Sequence, residues 1–353
     1  DYFLSFAQGV RFVNIDLAVG EGVSNVYQYL GDNIGFGAQQ AFLGYQSYII
    51  NPSFEVSNNT DYISASNPQK NSLNHNFFVT ETGANKKHSF TISTQYRDNL
   101  YLGMNINSYN SEFKRTDYLR ENNYGVGSDF IETEFENELS TLADGFSIQL
   151  GAIYKPSPNI RLGLSYQSPT WFSIQEELVQ YVGTDREGRS DEVDPQIINL
   201  YEYNIKTPSK ISTGLAYIFG NKGLISFEYN LVNFQNIEFD TQQGNDDYIN
   251  LNKEIKSTLK KVATFRFGGE YRIEELSLRG GYFSHQNLNK TTPDFSKGYS
   301  LGIGYDFGGS NLSATFLKQK SERTELIYQQ GLEDPIDLNK EQVQIVVTYS
   351  LKL

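Results

Sequence analysis

The stretch that decides the fold is YSLGIGYDF, residues 299–307. Its apolar side chains stand at every second position, and serine, glycine and aspartate fill the positions between them. A period of two predicts a β-strand with one apolar and one polar face, because successive side chains of a strand point to opposite sides. The end of the chain, residues 343–353, repeats the pattern as VQIVVTYSLKL, with Val346 as the exception.

The same alternation recurs along most of the chain and predicts about 12 antiparallel strands. We expect them at residues 72–83, 87–97, 100–115, 143–155, 159–175, 207–219, 222–238, 260–273, 275–287, 296–307, 310–326 and 341–353.

The connections between these strands alternate in length. Short turns are predicted at residues 97–100, 155–159, 220–222, 273–275 and 308–311, and long polar segments at 116–142, 176–206, 239–260, 287–296 and 327–340. A soluble β-sandwich has no reason to place its long loops at one end. Short periplasmic turns and long external loops are typical of outer-membrane barrels, so we predict an all-β transmembrane antiparallel up-and-down β-barrel in contact with outer-membrane lipid.

The composition agrees with a bacterial outer membrane location. The 353 residues include 25 tyrosines, 24 phenylalanines and 30 glycines, but no cysteine. No run of about 18 apolar residues is present, so no transmembrane helix is predicted. The net charge of −13 argues against nucleic acid as a partner, because binding it requires clustered cations.

Two parts of the chain depart from the alternation. Residues 1–70 show partly helical periodicity and a glycine- and aromatic-rich stretch, so they are interpreted as an external loop with helical parts and the first visible strand region. Residues 71–353 are assigned to the barrel. Within the barrel, residues 246–261 predict a short amphipathic helix in an external loop.

A set of short motifs then appears in a fixed order. They are GFS at 145–147, AIYKP at 152–156, RLGLSY at 161–166, SPTW at 168–171, LAYIFG at 215–220, KGLIS at 222–226, GGEYR at 268–272, LRGGY at 278–282 and YSLGIGY at 299–305. The set resembles the FadL/TodX family of outer-membrane hydrophobic-compound transporters, in its Bacteroidota branch, and covers roughly residues 85–353.

The resemblance implies a 14-stranded barrel, an N-terminal hatch inside it, and a side opening through which apolar molecules diffuse. The hatch and its Asn-Pro-Ala motif are not visible here, so we expect the hatch and about two strands before Asp1. The implied function is passive uptake of a hydrophobic small molecule, fatty-acid-like or aromatic. The alternative is a non-transporting accessory subunit of a larger outer-membrane protein complex for secretion or barrel assembly.

No catalytic constellation is present, so the chain is not predicted to be an enzyme. His75, His88 and His285 lie far apart without paired ligand spacing, and neither a metal nor a cofactor is predicted. The acidic residues between Asp185 and Asp194 lack the ligand order of a calcium loop, which favours a solvated external loop over a divalent cation site.

Two groups of side chains are candidates for function. Charges on the polar faces of the strands form either a lumen salt-bridge network that holds a plug or a carboxylate head-group site; they are Arg161, Glu228, Arg266, Glu270, Arg272 and Arg279. An apolar ligand is expected to contact Phe36, Phe42, Tyr45, Trp171 and Phe172. The competing interpretation is a small loop core for the first three and an interface-belt tryptophan for Trp171.

Overall fold

The computed structural model describes residues 2–18, 20–66, 73–240, 246–290, 295–326 and 334–351. The chain begins with four helices, α1 (Tyr2–Ala7), α2 (Phe12–Ile15), α3 (Val23–Asn33) and α4 (Phe36–Gln46), and a hairpin of β1 (Ile50–Pro52) and β2 (Tyr62–Ser64). We call residues 2–64 the N-terminal unit. It contains this hairpin where one strand was expected. Helix α5 (Asp246–Thr258) confirms the helix predicted at 246–261. No described helix has the length and apolar character needed to cross a membrane.

All remaining strands join one antiparallel sheet, which confirms the predicted all-β antiparallel class. They are β3 (Asn74–Tyr96), β4 (Leu100–Asn122), β5 (Phe130–Ser157), β6 (Ile160–Gln167), β7 (Trp171–Arg186), β8 (Arg189–Val193), β9 (Asn199–Lys206), β10 (Lys210–Ile218), β11 (Gly223–Asn233), β12 (Glu238–Phe239), β13 (Lys261–Ile273), β14 (Leu276–Gln286), β15 (Phe295–Asp306), β16 (Ser310–Glu325) and β17 (Ile336–Leu351). Residues 352 and 353, predicted to end the last strand, lie outside the described residues.

Several of these strands follow one another end to end beside the same partner strand. We call each such series a line of strands. Strands β6 and β7 both pair with β5, strands β8 and β9 both pair with β7, and β9 leads into β10. Within the described residues, β3 pairs only with β4, and β17 pairs only with β16. The strands predicted at 72–83 and 87–97 are one strand, β3. Gly83 keeps the ladder continuous there, because a Cβ on it would lie 2.4 Å from the backbone oxygen of Glu112.

The predicted short turns are confirmed, and four of them contain a residue with positive φ: Arg97, Gly220, Glu274 and Gly308. The loops predicted at 116–142 and 176–206 were wrong in large part, since β4, β5, β7, β8 and β9 extend into them. Their polar side chains pair across strands, as Arg120 does with Glu132 at 2.5 Å, and such pairs stabilise a polar sheet. The loops at 287–296 and 327–340 lie partly outside the described residues, and β17 already begins within the second.

The sheet has two chemically different faces. The apolar face carries exposed side chains at alternate positions; they include Leu102, Met104, Ile106, Leu150, Leu164, Leu215, Phe267, Leu278, Leu301, Ile303, Val347 and Tyr349. The polar face carries the residues between them, and in β4 and β5 its side chains bond to one another. Asn107 receives a hydrogen bond from the Ser89 hydroxyl (2.8 Å) and donates to Ser147 (3.3 Å).

The N-terminal unit packs against the polar face of the extended ends of β4, β5 and β7. Leu119 lies an even number of positions from Asn107 on one regular strand, and Phe135 likewise from Ser147, so these side chains share the polar face. Both belong to a large buried core, which also contains Phe3, Phe12, Ile15, Tyr27, Leu30, Phe42, Leu43, Ile50, Tyr62, Val182 and Val193.

Candidate functional site

The line of strands next to β5 is interrupted at residues 168–170, and the next line is interrupted at residues 207–209. Each interruption contains a proline, Pro169 in the first and Pro208 in the second. Proline has no N–H to donate to a ladder, so it ends regular pairing inside a sheet. The register of β7 with β9 places Trp171 opposite Lys206, so the two interruptions lie side by side.

Side-chain hydroxyls replace part of the missing ladder. The Ile148 N–H donates to Ser168 Oγ (2.9 Å), and the Thr170 N–H donates to Thr207 Oγ1 (3.0 Å). The Ser168 hydroxyl in turn donates to the Pro169 carbonyl (2.7 Å). These bonds matter because an unpaired backbone group buried away from water costs as much as a lost hydrogen bond.

The interruption continues into a third line of strands. Strand β11 ends at Asn233, a single 3-10 turn covers Phe234–Asn236, and β12 then pairs with β9 through Glu238 and Phe239. Three neighbouring lines therefore break at one level, and we call this feature the sheet break (residues 168–170, 207–209 and 233–237). Helix α5 lies beside it, with the Tyr248 ring stacked on Phe239 at 5.5 Å.

A cavity of about 720 Å³ lies at the sheet break. Its lining combines five apolar side chains with six polar or charged ones and a glycine: Asp144, Gly145, Phe146, Trp171, Phe172, Ser173, Asn204, Ile205, Lys206, Glu238, Phe239 and Asp240. Phe146 and Trp171 are register partners on the apolar face, and Trp171 is 49% exposed. Phe172, one residue further, points to the polar face. The cavity therefore borders side chains from both faces of the sheet.

Gly145 sets the position of Phe172. The two residues are register partners, and a Cβ on Gly145 would lie 2.4 Å from the Phe172 ring. With glycine there, the ring lies across the backbone of β5 and also meets the Tyr109 ring at a centroid distance of 5.8 Å. A side chain at position 145 would displace Phe172 from the cavity wall.

The charged groups of the cavity are mainly acidic. Among the described residues of the lining, Lys206 is the one cation, and its Nζ lies 3.3 Å from Glu238. Asp144 accepts a hydrogen bond from the Asn110 amide at 2.6 Å, and Asp240 is a further carboxylate of the lining. The cavity thus combines an aromatic surface with polar and charged groups.

The structure brings together only part of the predicted ligand set. Trp171 and Phe172 both line the cavity. Phe36, Phe42 and Tyr45 lie in helix α4 of the N-terminal unit instead: Phe42 is fully buried in its core, Phe36 meets Phe6 edge-on, and Tyr45 meets Phe12. Phe42 therefore has no surface to offer a ligand.

The predicted charge network separates into two ion clusters. Glu228 pairs with Arg266 at 2.5 Å, and Glu270 pairs with both Arg272 (2.5 Å) and Arg279 (2.6 Å). The Glu228–Arg266 and Glu270–Arg279 bonds join neighbouring strands of the sheet, whereas Arg272 lies on the same strand as Glu270.

Arg161 belongs to neither cluster. Its guanidinium donates to the backbone carbonyls of Ser157 (3.1 Å) and Pro158 (2.9 Å) and so holds the turn before its own strand. Among the described residues, no group of three histidine or carboxylate side chains could hold a metal ion.

Sequence reasoning missed ten of the twelve lining residues, among them Gly145, Phe146, Ile205 and Phe239. Their own positions look like ordinary alternation. The available signal was the pair of prolines, Pro169 and Pro208, each inside a strand-like stretch. Proline in a strand pattern marks an edge, a bulge or a break, and two of them at one level mark a break that crosses strands.

No family model matches this chain, and no curated protein matches it in sequence. Solved structures do match. The toluene transporter TbuX of Ralstonia pickettii is 12% identical over 80% of this chain and 79% of its own, with a TM-score of 0.43. The monoaromatic hydrocarbon channel CymD is 11% identical over 81% and 89%, with a TM-score of 0.39. A Pseudomonas aeruginosa FadL homologue is 11% identical over 74% and 76%, with a TM-score of 0.39.

Proposed function

We propose that this protein spans a bacterial outer membrane and lets hydrophobic small molecules enter passively at the sheet break. The apolar face supports the membrane part of the proposal. Leu301 is 60% exposed and Val347 67% exposed, and similar side chains recur on strand after strand. Soluble monomers rarely expose continuous apolar patches beyond a few hundred Å². In lipid the same face is favourable, provided that the backbone groups are bonded within the sheet.

The cavity at the sheet break is the single observation that carries the transport part. It combines Phe146 and Trp171 from the apolar face with Phe172 from the polar face. A molecule dissolved in the lipid layer or arriving from the polar side would therefore meet the same aromatic surface. Burial of apolar ligand area contributes roughly 25 cal/mol per Å², which is enough to capture a small molecule without any charge.

The lone tryptophan makes the proposal directly testable, since Trp171 reports on its own cavity. We expect ethylbenzene and dodecanoate, as aromatic and fatty-acid-like probes, to change Trp171 fluorescence in the detergent-solubilised protein and to cross proteoliposomes that contain it. Gly145→Leu should displace Phe172 and weaken both effects by at least tenfold.

Gly280→Leu is the matched control, because no atom lies within 4 Å of a Cβ placed on Gly280. The proposal fails if neither probe alters Trp171 fluorescence, or if the two leucine variants behave alike. If neither probe changes Trp171 fluorescence and the protein purifies from native membrane with a stoichiometric protein partner, the accessory-subunit hypothesis is favoured.

A further inference from the structure

The cations of strands β13–β17 are distributed unevenly over the two ends of the apolar face. Side chains on this face stand at odd positions in β13, β15 and β17 and at even positions in β14 and β16, because the ladders are regular. Within these described strands, every lysine or arginine of this face lies toward the long connections: Lys261, Lys297, Lys318 and Lys320. Toward the short turns the face carries uncharged side chains such as Tyr305 and Tyr349.

Three of these lysines lie together at the border of the apolar face, and we call them the lysine patch (Lys297, Lys318 and Lys320). Lys297 and Lys320 are register partners of β15 and β16, so their side chains stand opposite one another on one face. Their Nζ atoms lie 4.8 Å and 5.9 Å from the centre of the Phe295 ring. Lys318 lies opposite Tyr299, two positions closer to the apolar part of its strand. Two ammonium groups thus meet near one aromatic ring, with a third beside them.

This arrangement of charges is unfavourable without an anion. Like charges directly opposite one another across a strand pair destabilise a sheet. Two carboxylates of the described residues compensate part of the charge: Glu341 pairs with Lys318, and Glu322 Oε1 lies 2.6 Å from Lys320 Nζ. The side chains of Lys320 and Glu341 remain about half exposed, and ion pairs so open to water contribute little. The patch therefore keeps a net positive charge and can exchange these partners for a stronger anion.

We infer that the lysine patch binds the phosphate of a phosphorylated lipid headgroup in the outer leaflet. The inference rests on the membrane placement proposed above, with the apolar face against acyl chains and the long connections outside. Lys318 and Lys320 follow Phe316 by two and four positions, about 7 and 14 Å along the strand, which places them at the level of the headgroups. Each ammonium has three donors, and hydrogen bonds between ionised groups are about twice as strong as neutral ones.

The surroundings favour a lipid over a free phosphate ion. A lipid whose headgroup contacts the patch has its acyl chains beside Leu301 and Phe316, which are register partners on the same face. These contacts add the burial of apolar area to the attraction between charges, and a free phosphate gains no such contribution. The patch and the apolar face are therefore continuous parts of one surface for a phosphorylated lipid.

The test measures binding of lipid A, a phosphorylated glycolipid, to the detergent-solubilised full chain by native mass spectrometry across a lipid titration. The dephosphorylated glycolipid serves for comparison, and we expect the phosphorylated form to bind at least tenfold more tightly. The double variant Lys297→Gln with Lys320→Gln should lose most of this preference, because a lysine near an anionic lipid surface contributes roughly fivefold. Circular dichroism verifies folding, and Lys297→Gln alone replaces the pair if the double variant does not fold.

Lys114→Gln is the matched control. The side chain of Lys114 is 49% exposed, as is that of Lys320, and each Nζ lies 2.6 Å from a glutamate. Lys114 stands eight positions beyond Ile106 on the same side of β4, about 27 Å along the strand, and therefore too far from the apolar part to meet a headgroup phosphate. This variant should keep the full preference for the phosphorylated form.

The inference is overturned if the double variant retains the preference, or if Lys114→Gln lowers it equally. It is also overturned if inorganic phosphate displaces lipid A more effectively than sodium chloride of the same ionic strength, because that result assigns the patch to a free anion. Flotation with phosphatidylcholine vesicles separates the two proposals. A chain that inserts but shows no preference contradicts the lysine patch alone, whereas a chain that does not insert contradicts the membrane placement as well.

Discussion

The N-terminal unit and strands β13–β17 use the same apolar residue types in opposite ways. In the unit, Phe42 and Leu43 are completely buried among helices and the extended strand ends. In the strands, Leu301 and Ile303 face outward, with 60% and 50% of their surface exposed. The surroundings of these apolar residues therefore differ: the first region supplies its own apolar environment, and in our proposal lipid supplies it for the second.

Polar groups, too, are more buried in the N-terminal unit than in strands β13–β17. The unit is joined to the sheet by an amide cluster, in which Tyr27 Oη and Gln40 Nε2 each donate to Gln180 Oε1 at 2.7 Å, and Gln180 Nε2 donates to Asn137 at 2.6 Å. The ion pairs of β13 and β14 are more open, and Arg272 remains 56% exposed. Buried polar groups are tolerated where each one has a partner.

The largest effect is expected from Phe42→Ala. Removing a buried phenylalanine costs about 3–5 kcal/mol through lost burial and the cavity that remains. We expect limited proteolysis to cut the N-terminal unit while the sheet keeps its resistance. Phe54→Ala is the matched control, because Phe54 is 69% exposed. Equal sensitivity of both variants to protease would contradict the contrast.

A charged side chain on the apolar face tests whether lipid surrounds strands β13–β17. Leu301→Arg should destabilise the sheet by about 2–4 kcal/mol if Leu301 faces the middle of a bilayer. Phe54→Arg, at a side chain of similar exposure in the N-terminal unit, should change stability by less than about 0.5 kcal/mol. Denaturant unfolding in lipid vesicles measures both. If Leu301→Arg leaves stability unchanged, the apolar face does not lie against the interior of a membrane.

The amide cluster should respond to Gln180→Leu. The change leaves the buried polar groups of Tyr27 and Gln40 without this partner, which costs roughly 1–3 kcal/mol. Hydrogen exchange should speed up in α3 and α4 but not in β13–β17. Gln175→Leu, on the same strand but exposed, provides the comparison, since its amide donates to Glu202 in an exposed pair. Uniform exchange across the molecule would show that the cluster does not hold the unit.

Raising the pH above 10 should gradually lower the stability of the N-terminal unit. Burial raises the pKa of Tyr27 and of Tyr62 from 10.0 to about 12. Between pH 10 and 12 the unfolded chain releases these protons and the folded chain retains them, so stability falls as the pH rises, by about 1 kcal/mol per pH unit for each tyrosine.

Near-ultraviolet circular dichroism follows the loss of packing during an alkaline titration. Tyr62→Phe should make the decline shallower, because one of the tyrosines with a raised pKa is gone. A decline of unchanged steepness in that variant would assign the effect to other groups.

Much of the sheet follows from period-two alternation, as YSLGIGYDF at residues 299–307 and strand β15 show. The long polar hairpins did not follow, because Arg120 and Glu132 look like loop residues until the register brings them together. The cavity could be predicted only in small part. Trp171 and Phe172 stand out as aromatics after a proline, whereas Gly145 and Phe239 gain their roles only from strands distant in the chain.

The sequence by itself determined which faces are apolar, where the tight turns fall and that no cysteine chemistry is possible, because these properties depend on residue types and their spacing. Only the tertiary structure decided that three neighbouring lines of strands break at one level, and that the N-terminal helices cover the polar face. Both depend on register and packing between segments far apart in sequence, which local periodicity does not encode.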